Sequence, residues 1–297
     1  MPDMTALDFD RLRAQRAEHP GAVREAYAAR TRRPVLRGDG RLFIIAADHP
    51  ARGALGVGDR PDAMADRYGL LERLAIALND PGVDGVLGTP DILDDLALLG
   101  LLDDKVLVGS MNRGGLRGSS FEMDDRFTAF DVPSMTTAGI DFAKVLLRID
   151  LDDPGTVRTM EQTARVISEA ASVDLPIMIE PFMSRRIDGR VVNDLSTDAA
   201  VLSVSIAAGV GGSSACTWMK LPVVPDMERV MAATTLPTLL LGGDAGDDQD
   251  ETYASWEDAL ALPGVRGLTV GRTLLFPPDD DVAAAVATAA GLVHNDR

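Results

Sequence analysis

Short runs of apolar and β-branched residues recur along the chain, separated by stretches with apolar positions at three- and four-residue spacing. The runs predict strands at Leu42–Ala47, Gly85–Leu87, Val106–Gly109, Phe142–Arg148, Pro176–Glu180, Thr217–Leu221, Thr238–Leu241 and Gly267–Val270. Most are apolar on both faces, the pattern of parallel strands covered by helices. The intervening patterns predict helices near Asp62–Leu78, Asp91–Leu99, Thr156–Ala171 and Thr197–Ala208, with Asp91 and Asp198 as first-turn or cap residues. Eight such βα units predict an α/β fold, a single (β/α)8 TIM barrel. The rival is a doubly wound open sheet, which usually has a glycine fingerprint after its first strand. Here that strand runs into Ala47-Asp48-His49-Pro50. Residues 1–40 read as an Arg-rich, N-terminal helical extension, and residues 41–297 as the barrel. No internal repeat or linker divides the chain.

Composition narrows the partners. The 297 residues carry a net charge of −17, with 46% hydrophobic and 25% charged residues. That balance is globular, and its acidity argues against nucleic acid or an anionic membrane as a partner. A lone cysteine, Cys216, forms no internal disulfide, and no signal peptide or 18-residue apolar run is present, so a cytoplasmic protein is expected. Cys216 reads as a packing residue, and Gly211–Ser214 as the loop into the sixth strand. Only three of the 29 basic residues are lysines: Lys105, Lys144 and Lys220. Two of them stand inside predicted apolar strands, where burying an ammonium is costly.

A barrel of this kind does its chemistry where the strands end at the C-terminal face. The first strand delivers Asp48 and His49, and the third delivers Ser110, Met111, Asn112 and Arg113. Lys144 and Arg148 share one face of the fourth strand; the fifth ends in Glu180 and the sixth in Lys220. The seventh and eighth end in Gly242-Gly243 and Gly271-Arg272. Lys144 and Lys220 lie on even-numbered strands and so contribute to one interior layer, with Glu180 between them. A lysine is protonated at neutral pH; a second cation nearby, with desolvation, frees an amine for attack on a carbonyl, and a carboxylate carries the protons. The same residues equally describe a structural ion pair with one lysine reaching solvent. His19 and His294 lie near the termini, which leaves His49 alone among the strands, so a His-rich zinc site is not expected. His49 reads either as a hydrogen-bonding group of the site or as a loop residue.

The motifs IIAADHPARGAL, DFAKVLLRIDLDDP, LPIMIEPF, WMKLPV and GLTVGRTLLF, in this order between Leu42 and Phe276, resemble class I aldolases of the deoxyribose-phosphate and tagatose-1,6-bisphosphate aldolase superfamily. The resemblance implies Lys220 as the Schiff-base lysine, with Lys144, Glu180 and Asp48 completing the catalytic set. It also implies a phosphorylated keto sugar or keto sugar acid as substrate, no cofactor, no metal and a homo-oligomer. The leading substrate is 2-deoxy-5-keto-gluconate 6-phosphate, split to dihydroxyacetone phosphate and malonic semialdehyde. Tagatose 1,6-bisphosphate, sulfofructose phosphate and deoxyribose phosphate are the alternatives. Gly242, Gly243, Gly271 and Arg272 fit a phosphate site after the last two strands. Arg148, Asn112, Arg113 and His49 are expected to bind the rest of the substrate, with Arg117 and Arg185 also available on the loops. The acidic run from Asp244 to Glu251 departs from this pattern, since carboxylates repel phosphate; it is also the one segment that suggests a cation site. A phosphate-binding barrel isomerase or epimerase without a covalent intermediate, and a silent sugar-phosphate sensor, are the rival functions.

Overall fold

The structure, a computed structural model, describes residues 7–243 and 249–294. Its strands are β1 (Leu42–Ala46), β2 (Gly85–Gly88), β3 (Val106–Ser110), β4 (Phe142–Ile149), β5 (Ile177–Ile187), β6 (Arg190–Asn193), β7 (Thr217–Pro222), β8 (Thr238–Leu241) and β9 (Val265–Val270). Eight of them pair in parallel in the order β4-β3-β2-β1-β9-β8-β7-β5, and a β4–β5 pairing closes the ring. This is the (β/α)8 barrel expected from the sequence. The ninth strand, β6, is an antiparallel arm on an extended β5, so the sixth barrel strand is β7.

Alternation along the strands divides the core in two. Leu42, Ile44, Ala46, Val106, Val108, Phe142, Met178 and Leu239 pack together in the barrel interior, whereas Phe43, Ile45, Leu107, Val145 and Ile179 pack in the larger cluster with the helices. Both faces of these strands are therefore dry, which is why they read as unbroken apolar runs. Glycine lets the strands approach where β9 shifts register against β8: Gly267 has φ +139°, and a Cβ there would lie 1.9 Å from the Leu42 carbonyl oxygen.

Helices 155–171 and 197–208 lie where periodicity placed them. The helix expected from Asp62 begins instead at Arg67, because Asp66 accepts a hydrogen bond from the Tyr68 amide and caps it. Asp91 and Asp198 lie in first turns, with Thr89 and Ser196 at the caps. Two N-terminal helices, Phe9–Glu18 and Ala22–Ala29, dock on helix 90–98: Arg16 Nη2 donates to Asp95 Oδ1 (2.6 Å) and the Tyr27 hydroxyl to Asp94 Oδ1 (3.0 Å). Beyond them Arg30 and Arg33 reach the N-terminal end of the barrel, where they pair with Asp141 (2.9 Å) and Asp84 (2.5 Å). No helix among the described residues is long and apolar enough to cross a membrane.

Candidate active site

The interior columns of apolar side chains end in polar ones at the C-terminal mouth. On β1 the column Leu42, Ile44, Ala46 continues to Asp48; on β3, Val106 and Val108 continue to Ser110. Phe142 is followed two residues on by Lys144, Met178 by Glu180, and Trp218 by Lys220. Ser110 pairs with Lys144, Lys144 with Met178, and Met178 with Trp218, and the stagger that closes the barrel then brings Lys144 and Lys220 toward one interior level, with Glu180 between them. The period of two thus carries five polar side chains from five strands into one space.

They form a connected chain. Lys220 Nζ donates to Glu180 Oε1, and Lys144 Nζ lies 2.5 Å from Glu180 Oε2. Lys144 Nζ also donates to Asp48 Oδ2 at 3.2 Å. Arg113 pairs with the same Asp48 oxygen, which Ser110 Oγ reaches at 3.0 Å. All are buried: the side chains of Lys144, Asp48 and Lys220 are 3%, 4% and 7% exposed. Lys220 therefore contacts one carboxylate, and Lys144 contacts two.

Burial dominates the proton affinities. It pushes the Lys144 ammonium well below its ordinary range, and Arg113 and Lys220 add to the effect against the opposing pull of Glu180. Burial alone would raise Glu180, but Lys144 and Lys220 outweigh it and hold the carboxyl below its usual range. Glu180 is thus ionised at neutral pH, beside an amine that gives up its proton readily. Burial brings Arg113 down to about 10, so it stays charged. The His49 imidazole is pushed well down by burial and then by Arg272, Lys220 and Lys144, which keeps it neutral. Its Nδ1 is enclosed without a hydrogen-bond partner and lies 3.9 Å from Asp48 Oδ1.

The other expected binding residues divide. Asn112 is tied to the strand: its Oδ1 accepts from the Leu146 amide (2.9 Å), and its Nδ2 donates to the Leu146 carbonyl (2.6 Å) and to Asp125 (3.0 Å). Arg148 Nη1 lies 2.5 Å from Glu122 Oε1, while its Nη2 donates to the Glu122 carbonyl. Arg52, which sequence reasoning missed, is buried against Asp125 at 2.5 Å and donates to the carbonyls of Gly115 and Asn112. Asp125, Glu122 and Arg52 pin the loop after β3 across the mouth. Arg186 ties the β5–β6 arm to it through the carbonyls of Ser119 and Ser120.

Across the mouth, Gly242 and Gly271 follow β8 and β9. Packing alone demands glycine at both: a Cβ would meet Val270 Cγ1 at 2.3 Å and the Ala46 carbonyl oxygen at 2.2 Å. Gly243 has φ +70° and open space around it, and Arg272 begins the short helix 272–275. Asp244, and with it residues 244–248 of the acidic run, lies outside the described residues. Among the described residues no group of three or more His, Cys, Asp or Glu is placed to hold a metal ion. Cys216 and Gly211–Ser214 sit at the opposite end of β7 from Lys220.

Comparison with known proteins agrees with this architecture. The structure of a Schiff-base-forming fructose-1,6-bisphosphate aldolase superposes with a TM-score of 0.64 at 21% identity, covering 92% of this chain and 100% of that one. An archaeal fructose 1,6-bisphosphate aldolase gives 0.63 at 20% identity, covering 91% and 98%. At this identity the likeness is one of fold. No functionally curated protein matches. A crystal structure of Cgl0159 from Corynebacterium glutamicum is 65% identical over the whole of both chains, with a TM-score of 0.97. The Cgl0159-like family model matches residues 40–290, and the chain belongs to that family.

Proposed function

We propose that this protein is a class I aldolase that cleaves a phosphorylated keto sugar or keto sugar acid through a Schiff base on Lys220. The observation that carries the reading is the buried chain Lys220–Glu180–Lys144–Asp48 at the mouth of the barrel. A purely structural ion pair needs one lysine and one carboxylate. Two amines on one carboxylate, with a proton-labile lysine between two acids, is an arrangement for moving protons. The fold is shared with Schiff-base aldolases, which supports the same reading.

Lys220 is the nucleophile because it has one carboxylate contact to break where Lys144 has two, and its side chain is the more exposed of the pair. Lys220 passes a proton to the group it touches, Glu180, and the freed amine attacks the substrate carbonyl carbon. The nitrogen then loses a proton and the oxygen gains one to give the carbinolamine, whose hydroxyl takes a second proton and leaves as water to give the iminium. Glu180, touching both amines, exchanges protons with Lys144 during these steps. The iminium then accepts the electron pair of the adjacent C–C bond. The hydroxyl on the departing carbon gives its proton to Asp48 and becomes the carbonyl of the aldehyde product. The enamine left on Lys220 is protonated at carbon, and water hydrolyses the iminium to release dihydroxyacetone phosphate. The phosphate would sit on the β8–β9 side, against the backbone of Gly242, Gly243 and Gly271 and the side chain of Arg272. No step needs a cofactor.

Borohydride reduction in the presence of dihydroxyacetone phosphate tests the reading. Inactivation with mass added to the Lys220 peptide is expected. Labelling of Lys144 would reverse the roles of the two lysines, and no labelling would favour an isomerase or epimerase that uses Glu180 as base. The substrate is identified by a panel read through triose phosphate release. It comprises 2-deoxy-5-keto-gluconate 6-phosphate, which leads, together with tagatose 1,6-bisphosphate, fructose 1,6-bisphosphate, sulfofructose phosphate and deoxyribose phosphate.

A further inference from the structure

We propose that Ser110 and Arg113 are positioning residues that load one oxygen of Asp48 so that the other is turned to the substrate hydroxyl. This rests on the aldolase reading above, with Asp48 as the base for bond cleavage.

Three donors converge on Asp48 Oδ2: Ser110 Oγ at 3.0 Å, Lys144 Nζ at 3.2 Å, and Arg113 Nη2. Ser110 Oγ accepts from Arg113 Nε at 2.8 Å, so its own proton is directed to the carboxylate. Among the described residues no hydrogen bond reaches Oδ1. The charged and titratable groups around Asp48 are Arg113 from the segment after β3, Lys144 from β4 with Glu180 of β5 behind it, and His49 from its own turn, with Nδ1 3.9 Å from Oδ1.

The terminal torsion of an aspartate is broad and two-fold, so the two oxygens of an unrestrained carboxylate exchange places. Donors on Oδ2 alone remove that freedom and leave the lone pairs of Oδ1 as the open acceptor. Packing does not ask for a hydroxyl at Ser110, whose Oγ meets only Arg113 and Asp48 among the described residues. That position is fully buried and continues the apolar column of Val106 and Val108, where alanine would serve packing equally well. The guanidinium of Arg113 is likewise held on Asp48 and Ser110, which assigns it to the carboxylate rather than to a phosphate.

The test uses the panel substrate that the wild-type enzyme cleaves fastest, alongside borohydride trapping of dihydroxyacetone phosphate, which has no bond to cleave. Ser110→Ala should lower kcat for cleavage roughly 10- to 100-fold, the scale of a misplaced catalytic group. KM should change much less, and trapping on Lys220 should proceed as in the wild type. Ser110→Cys, nearly isosteric and a weak donor, should recover part of the loss. In Ser110→Ala/Asp48→Asn the serine change should cost nothing beyond Asp48→Asn alone, because it acts through that carboxylate. Additive losses, or trapping that falls in step with cleavage, would show a merely structural role and overturn the proposal. A wild-type enzyme that traps no iminium would instead remove the aldolase reading on which it rests.

Discussion

The two ends of the barrel both bury acids against bases and use them for opposite purposes. At the N-terminal end Asp84 pairs with Arg33 and accepts the Phe43 amide at 2.7 Å, and Asp141 pairs with Arg30 and accepts the Leu107 amide at 3.0 Å. Each carboxylate there meets permanent guanidinium charge and a strand N–H, and no proton needs to move. At the C-terminal end the bases nearest the carboxylates include two lysines, whose amines can lose a proton; one of them, Lys144, is pushed well down by burial. Lys105 marks the contrast: it sits at the N-terminal end and donates to the Val83 carbonyl at 2.6 Å. In a chain with 26 arginines, lysine at the mouth is a chemical choice.

The strongest test of that contrast exchanges amine for guanidinium. Lys220→Arg keeps the charge beside Glu180 and removes the nucleophile, so turnover should fall by several orders of magnitude and borohydride trapping should vanish. Retained turnover would reduce the mouth to an ion-pair cluster like the one below it. Glu180→Gln keeps the shape and removes the proton carrier, and roughly 10²–10⁴-fold loss of kcat is expected, with substrate binding affected less. Lys144→Arg and Lys144→Met separate charge from proton transfer. Activity kept in the first and lost in the second would assign an electrostatic role, whereas loss in both would require an amine.

The eight barrel strands were legible because both of their faces are dry, and Asp48, Lys144, Glu180 and Lys220 because each interrupts or ends such a strand with a charge. What surrounds them was harder to read. Arg148 and Asn112 were expected to bind substrate; the groups that hold them, Glu122 and Asp125, were not foreseen because they lie in the irregular stretch between β3 and β4, which has no periodicity to place it. The β5–β6 arm was missed because it stands outside the barrel, where its few apolar residues, Ile187, Val191 and Val192, are at least partly exposed among polar ones and show no dry face. The signal for it was present in Asp188-Gly189, a dipeptide suited to a two-residue hairpin turn, and both residues adopt positive φ (50° and 79°) between paired Ile187 and Arg190.

At the N-terminal end the expected effects are on stability alone. Asp84→Ala removes the partner of buried Arg33 and leaves its charge uncompensated, a loss on the order of 3–5 kcal/mol that thermal or denaturant unfolding would record. Iminium trapping per folded molecule should be unchanged. Trapping that fell with stability would mean the two ends are coupled, contrary to the division of labour drawn above.

The smallest effect concerns His294, which closes the C-terminal helix onto this end. Its Nδ1 lies 2.6 Å from Asp39 and its Nε2 3.1 Å from Asp84, so both ring nitrogens meet carboxylates and the imidazolium is favoured. The Asp84 contact, joined by Asp39, raises its pKa to about 9 against burial. A base with a raised folded-state pKa stabilises fully below its unfolded value near 6.5, and the contribution is lost as pH rises through about 9. Because the ring is partly exposed, solvent screening leaves about 1 kcal/mol. Wild-type stability should therefore decline between roughly pH 6.5 and 9 by that amount relative to His294→Gln, whose neutral side chain has no proton to lose over this range. Parallel stability curves for the two proteins would show that His294 carries no excess proton in the folded state.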